Sequence, residues 1–266
     1  MKSLRFVATL GLALGLALGT TQARAAVKTQ SSDSNSYINS LNMDGHMGMY
    51  YTGSAEVPAV GSGNIALGVN YNSYDSSSVV DIPWCAVDFG VAKGLELSAG
   101  LPFRISSPDG GDSVSGLDVL TFGGKYVIPA DKNDQLNFAV DLDIRTGAIE
   151  KKLDPRHTDV NPKGLVTYKS PDGIVVNGEI GFVITGKRGD WSAPDYIQIK
   201  GGVGYAFTPK VTAFGELGIN QYWEDGSSLA LGVRTGSKIK YQGMLGVGLG
   251  DHAPDFTLGG SVVFGI

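Results

Sequence analysis

Beyond about residue 60 the chain alternates apolar and polar residues again and again. Leu136, Phe138, Val140, Leu142 and Ile144 form one series, against Asn137, Ala139, Asp141, Asp143 and Arg145. Ile239, Tyr241, Leu245, Val247 and Leu249 do the same against Lys240, Gln242, Met244, Gly246 and Gly248. The last run sets Phe256, Leu258, Val262, Phe264 and Ile266 against Asp255, Thr257, Gly259, Ser261 and Gly265. Period two makes a strand with one apolar face. These runs reach about ten residues, longer than the five or six usual in soluble sheets and matched to a tilted bilayer crossing.

Clusters of Gly, Pro, Asn and Asp separate the runs. Tight turns are expected at Lys93-Gly94, Ala130 to Asp134, Pro171-Asp172-Gly173, Thr208-Pro209-Lys210 and Gly236-Ser237-Lys238. Mostly longer polar links are expected at Asn72 to Ser78, Ser106 to Ser115, Gly147 to Pro162, Gly186 to Pro194, Glu224 to Ser227 and Gly250 to Pro254. Short turns on one side and longer loops on the other are the signature of a chain threading an outer membrane. The strands implied are 63–72, 79–91, 95–105, 117–128, 135–146, 164–170, 174–185, 195–207, 211–222, 228–235, 239–250 and 255–266. The fold class predicted is all-β: a transmembrane, antiparallel, up-and-down β-barrel of about 12 strands with both ends periplasmic, located in the outer membrane of a Gram-negative cell. A soluble β-sandwich is the competing architecture, but its strands would be shorter.

The first residues belong to something else. Lys2 and Arg5 precede an apolar run from Phe6 to about Thr20, followed by Ala23-Arg24-Ala25. A charged start, a short apolar core and an A-x-A site predict a signal peptide over residues 1–25. Residues 26–60 lack sustained periodicity and read as an N-terminal extension, with the barrel over 61–266. The extension opens polar and then becomes apolar at Met43 to Tyr51. Because the first strand enters from the periplasm, such a segment can settle in the periplasmic opening and act as a partial plug.

With Cys85 the single cysteine among 266 residues, no intrachain disulfide is possible, which leaves stability to the closed sheet. Cys85 is expected to be a small apolar strand residue. A net charge of −5 argues against nucleic acid as a partner.

In a barrel the apolar series meets lipid and the polar series faces the lumen. The lumen-lining positions expected are Asp88, Glu96, Arg104, Lys125, Asp141, Asp143, Arg145, Glu179, Lys200, Glu216, Arg234 and Lys240. Both signs are present. Either they line an aqueous path and set its selectivity, or they pair across the lumen and close it. About twelve strands enclose only a narrow lumen. Aromatic residues near strand ends, among them Phe89, Tyr126, Phe182, Phe207, Tyr241 and Phe264, fit the girdles at lipid headgroups.

Chemistry beyond this is sparse. The histidines are His46, His157 and His252, and none falls within an expected strand. A catalytic site, which needs a nucleophile and base held together, is therefore not expected. Met43, His46, Met47 and Met49 carry soft ligands suited to copper, set against a segment that merely packs at the barrel mouth. No metal site and no cofactor are assigned.

Several segments resemble one family, the outer-membrane proteins of the MetA-pathway of phenol degradation. They are Gly53-Ser54-Ala55-Glu56-Val57-Pro58, Gly94 to Phe103, Gly124-Lys125-Tyr126, Arg145-Thr146-Gly147, Gly202-Val203-Gly204-Tyr205 with Thr208 to Val211, and the Gly246-Val247-Gly248 to Phe264 ending. The resemblance spans most of residues 53–266. It implies a porin-like transport barrel, with no catalytic residue to carry over. The chain departs in ending Phe264-Gly265-Ile266, where such barrels commonly end in an aromatic residue read by the assembly machinery. The function expected is passive passage of small, aromatic or apolar solutes. The alternatives are a structural or interaction barrel closed by its charge network and, third, an outer-membrane enzyme. The expected partners are outer-membrane lipid, the barrel assembly machinery and a small-molecule solute.

Overall fold

A computed structural model describes residues 39–129, 135–150, 152–153, 158–188, 191–192, 194–220, 226–251 and 253–266. The expected signal peptide, the turn at 130–134, His157 and His252 lie outside the described residues. In chain order the strands are β1 (Ser40–Leu41), β2 (Met47–Gly48), β3 (Gly63–Tyr74), β4 (Ser77–Ala92), β5 (Leu95–Pro108), β6 (Val114–Leu117) and β7 (Val119–Pro129). There follow β8 (Leu136–Ala148), β9 (Thr158–Lys169), β10 (Ile174–Val183), β11 (Lys187–Arg188), β12 (Trp191–Ser192) and β13 (Tyr196–Thr208). The last four are β14 (Val211–Ile219), β15 (Ser228–Gly236), β16 (Ile239–Gly248) and β17 (Phe256–Gly265).

Twelve of these form one closed antiparallel barrel. Each long strand pairs with the next, β17 pairs back to β3 from Phe256↔Ser73 to Gly265↔Asn64, and β4 pairs with β5. No sheet edge remains along the barrel, as a lipid environment demands. β6 extends β7 past Asp118 and continues the pairing with β5 above the main sheet.

The alternation settles with its apolar series outward. Phe138, Val140, Leu142 and Ile144 are exposed, while Asn137, Ala139, Asp141 and Asp143 between them are buried. Tyr126, Phe182, Phe207, Tyr241, Phe256 and Phe264 also lie on the exposed side. In β4 a register shift between Asp81 and Trp84 changes which parity points inward, so that Asp81, Trp84, Ala86 and Asp88 are all buried. A bulge inserts one residue and re-aims the side chains beyond it.

Three expectations change. The Asn72 to Ser78 link is no loop, because Tyr74 pairs with Ser77 and only Asp75 and Ser76 lie between the strands. The strand expected at 164–170 begins earlier, at Thr158, and pairs with β8 through Thr146↔Thr158. Pro162 hid it, since proline breaks a strand pattern in sequence, yet here it points outward opposite Leu142. The extension does not stop at the mouth of the barrel. Residues 39–56 form a hairpin inside it, entering at the short-turn end beside Asn177 and Lys240 and leaving there beside Thr167 and Lys169. The hairpin is closed by Ser40↔Gly48 and Leu41↔Met47. Its tip, with Gly45 at φ 93°, lies against the backbone of Ala99 well inside the wall.

Candidate functional site: the occupied barrel interior

Register brings opposite charges face to face around the inner wall. Glu96 lies opposite Lys125, Lys125 opposite Asp141, Asp141 opposite Lys163, and Glu179 opposite Lys200. The side chains pair accordingly: Lys125 Nζ to Glu96 Oε2 at 3.2 Å, Lys163 Nζ to Asp141 Oδ2 at 2.9 Å and Asp143 Oδ2 at 2.6 Å, and Lys200 Nζ to Glu179 Oε1 at 3.3 Å. Opposite charges on directly facing strand positions attract, and away from water that attraction strengthens.

His46 of the hairpin enters this belt. Its Nδ1 is 2.7 Å from Glu96 Oε1 and its Nε2 is 2.7 Å from Asp143 Oδ1, with Asp141 Oδ2 at 3.5 Å. The Ser98 hydroxyl approaches Nε2 at 3.2 Å. Burial alone would depress the imidazole, but Asp141, Asp143 and Glu96 outweigh it and raise His46 to about 10. It is therefore an imidazolium at neutral pH. Ser98, His46 and Glu96 have the outline of a nucleophile, base and orienting acid, yet an imidazole already protonated cannot take the serine proton. His46, Asp141 and Asp143 also converge closely enough to suggest a cation site. The Lys163 ammonium already stands against both aspartates. The methionines do not join His46: Met47 Sδ accepts from Asn64 Nδ2 at 3.6 Å, and Met49 packs against Gly202.

Carboxylates of the wall also grip the hairpin backbone. Glu216 accepts from the N–H groups of Tyr50 at 3.1 Å, Tyr51 at 3.0 Å and Thr52 at 2.7 Å. Glu179 accepts from Gly53 N–H at 2.9 Å. Successive N–H groups aimed at one anion form a nest, a strong arrangement when buried. At the tip, Asp44 bridges Arg145 Nη2 at 2.9 Å and Lys200 Nζ at 3.2 Å. Burial would raise the Asp44 carboxyl, but Lys200, Arg145 and Lys163 hold it well below the usual carboxylate range.

The apolar part of the hairpin fills a slot. Tyr50, fully buried, stands edge-on to Trp84 at 6.3 Å between ring centroids and to Tyr51 at 5.1 Å. Edge-to-face rings at such separations attract beyond their area burial. Two glycines on paired strands make the room. A Cβ at Gly68 would strike the Trp84 indole, and one at Gly259 would strike the Tyr50 hydroxyl. Leu41, Met49, Tyr51 and Phe214 belong to the same internal apolar cluster.

Of the twelve positions expected to face inward, nine are buried, whereas Arg104, Arg145 and Lys240 are half-buried. Glu96, Lys125, Asp141, Asp143, Arg145, Glu179, Lys200, Glu216 and Lys240 reach the hairpin. Asp88 instead binds Asn64, through N–H at 2.7 Å and Nδ2 at 2.9 Å. Arg104 joins Asp81 and Asp118 toward the loop end. Arg234 donates to Gln242 Oε1 and lies over the Phe214 ring, and Lys240 donates to Asn39 O at 3.4 Å. Asp44, His46 and Lys163 were absent from that set. Lys163 was legible in the alternation Asn161, Lys163, Leu165, Thr167; the other two lie in a segment without periodicity.

The comparisons fit this architecture. The family model Putative MetA-pathway of phenol degradation matches residues 48–264. No curated protein matches. Among solved structures, the COG4313 outer membrane channel from Pseudomonas putida F1 is similar with a TM-score of 0.66 at 13% identity, over 80% of this chain and 98% of that one. The NanC porin is similar at 0.53 and 10% identity, over 75% and 98%. The KdgM porin follows at 0.51 and 11% identity, over 75% and 98%. At such identities the likeness is one of fold, and the fold is that of outer-membrane barrels. The match over residues 48–264 shows that the chain belongs to the family Putative MetA-pathway of phenol degradation, built as a twelve-stranded outer-membrane barrel.

Proposed function

We propose that the protein is a channel for passive passage of small aromatic or apolar solutes, held closed at rest by its own residues 39–56. The observation that carries this reading is the way the interior is filled. The hairpin is held by hydrogen bonds, ion pairs and one aromatic slot, all reversible, and its most enclosed ring is a phenol, Tyr50, set against Trp84. A space that accepts a tyrosine ring accepts a solute ring of like size once the hairpin moves aside. The family's description and the channel and porin neighbours agree with this reading. We further propose that the barrel is not an enzyme, since His46 is a fixed cation between Glu96 and Asp143 rather than a base.

The competing reading is a structural barrel sealed for good. It draws on the ion-pair belt, which would lose its His46 cation on hairpin withdrawal and leave Glu96 and Asp143 undercompensated, at a cost of several kcal/mol. Single-channel recording in planar bilayers tests the two. The channel reading expects small, intermittent conductance from the intact protein and a large steady conductance from a form lacking residues 26–55. Absence of conductance from both, with heat-modifiable migration intact, would establish the sealed barrel.

A further inference from the structure

The hairpin tip carries one ion cluster unlike the rest. Asp44 presents one carboxylate oxygen to Arg145 and the other to Lys200, so a single carboxylate bridges two cations. Lys200 is held in place from behind by Tyr51 O at 3.1 Å and Glu179 Oε1 at 3.3 Å. Arg145 faces Asp159 across the β8–β9 pair. The side chains of Asp44 and Arg145 are 22% and 24% exposed, whereas those of His46, Glu96, Asp143 and Lys163 are all at or below 2%. Water reaches this pair and is shut out of the anchors beneath it. Arg145 lies three residues from the loop end of β8, and Asp44 belongs to the turn of a hairpin that entered from the opposite end. The Asp44 bridge therefore lies on the loop-facing side of the hairpin.

We propose that Arg145 and Lys200 form a binding site for the carboxylate of a small organic monoanion, and that Asp44 occupies it as an internal surrogate at rest. The proposal rests on the reading of residues 39–56 as a displaceable closure. The geometry suits a planar, two-oxygen anion, because guanidinium and ammonium groups approach the two oxygens separately. The acids beside the cations limit the charge it accepts. Asp159 faces Arg145 and Glu179 already engages Lys200, so a dianion such as phosphate would meet more repulsion here than a monoanion. A carboxylate tethered within the barrel competes at an effective concentration of about a millimolar or more. A free carboxylate therefore displaces Asp44 only when abundant, and doing so removes both ion pairs that hold the hairpin tip.

Calorimetric titration of the detergent-solubilised full chain with benzoate tests this, with benzyl alcohol as the uncharged ring of like shape. Weak, millimolar benzoate binding is expected from the unmodified protein, tightening at least tenfold in Asp44→Asn and vanishing when Arg145→Gln is added. Benzyl alcohol should gain nothing from Asp44→Asn. Equal benzoate affinity with and without Asp44, or an equal gain for benzyl alcohol, would overturn the site. A second measurement needs no variant: amide hydrogen exchange at residues 43–46 should quicken with benzoate and not with benzyl alcohol, and a rate indifferent to benzoate would also overturn it. These readouts do not depend on conduction. Benzoate binding without conductance in bilayers would defeat the channel and leave the site standing, while conductance without benzoate binding would do the reverse.

Discussion

His46 and Asp143 lie 97 residues apart in sequence, yet Nε2 of one stands 2.7 Å from Oδ1 of the other in the middle of the barrel. Glu96 holds the opposite ring nitrogen at the same 2.7 Å. One imidazolium thus joins the hairpin to two strands of the wall. Removing it would leave both acids buried beside Lys125 and Lys163 with one cation too few.

Replacing His46 by Gln should therefore unseat the hairpin while sparing the sheet. Breaking a buried ion pair by deleting one member costs about 3–5 kcal/mol. The expected result is faster proteolysis within residues 39–56 and higher open probability in planar bilayers, with heat-modifiable migration unchanged. Conductance and cleavage equal to those of the unmodified protein would show that the joint carries no such energy.

The same joint should loosen in alkali. The folded value of His46, about 10, lies above its ordinary 6.5, so its contribution is complete below 6.5 and is lost as pH rises through about 10. Asp44 works in the opposite sense: its depressed carboxyl contributes above the ordinary carboxylate range and fails only in strong acid. Open probability recorded from pH 6 to 11 should thus rise on the alkaline side, and this rise should be absent from His46→Gln.

Gly259→Val should block the aromatic slot. Any Cβ at this position meets the Tyr50 hydroxyl, and Tyr50 is fully buried. The outward neighbours Leu258 and Gly260 are untouched, so the barrel should still close. Overpacking of this kind costs typically 1–3 kcal/mol. Accelerated hydrogen exchange at Tyr50 to Gly53 is expected, and the companion change Tyr50→Ala should restore slow exchange there by removing the clash.

Glu216→Ala should release the backbone of the same turn. Three N–H groups lose their acceptor, and each buried group left unsatisfied costs about 1–3 kcal/mol. Glu216→Gln keeps one oxygen and should cost less. Exchange rates at Tyr50, Tyr51 and Thr52 should rank Ala above Gln above the unmodified protein; a flat ranking would mean that the nest does not hold the segment.

The barrel itself was legible in the sequence because its information is local. Phe138, Val140, Leu142 and Ile144 against Asp141 and Asp143 specify a strand, its two faces and the environment of each, since in a bilayer one face must be apolar and the backbone must pair with itself. Where local signals conflict, as at Pro162 in β9 or Asn72 to Ser78, the reading placed loops and the sheet's pairing overruled it.

The interior was decided by tertiary structure alone. Alternation shows that Glu96, Lys125, Asp141 and Lys200 point inward, but not which of them face each other, because that depends on the register between strands. Residues 39–56 carry no period at all. Their place is set by partners more than a hundred positions away, Glu216 for Tyr51 and Lys200 for Asp44 among them. A strand announces its environment through spacing within itself. A hairpin held by a nest, an imidazolium and one aromatic slot does so only once the wall that binds it has closed.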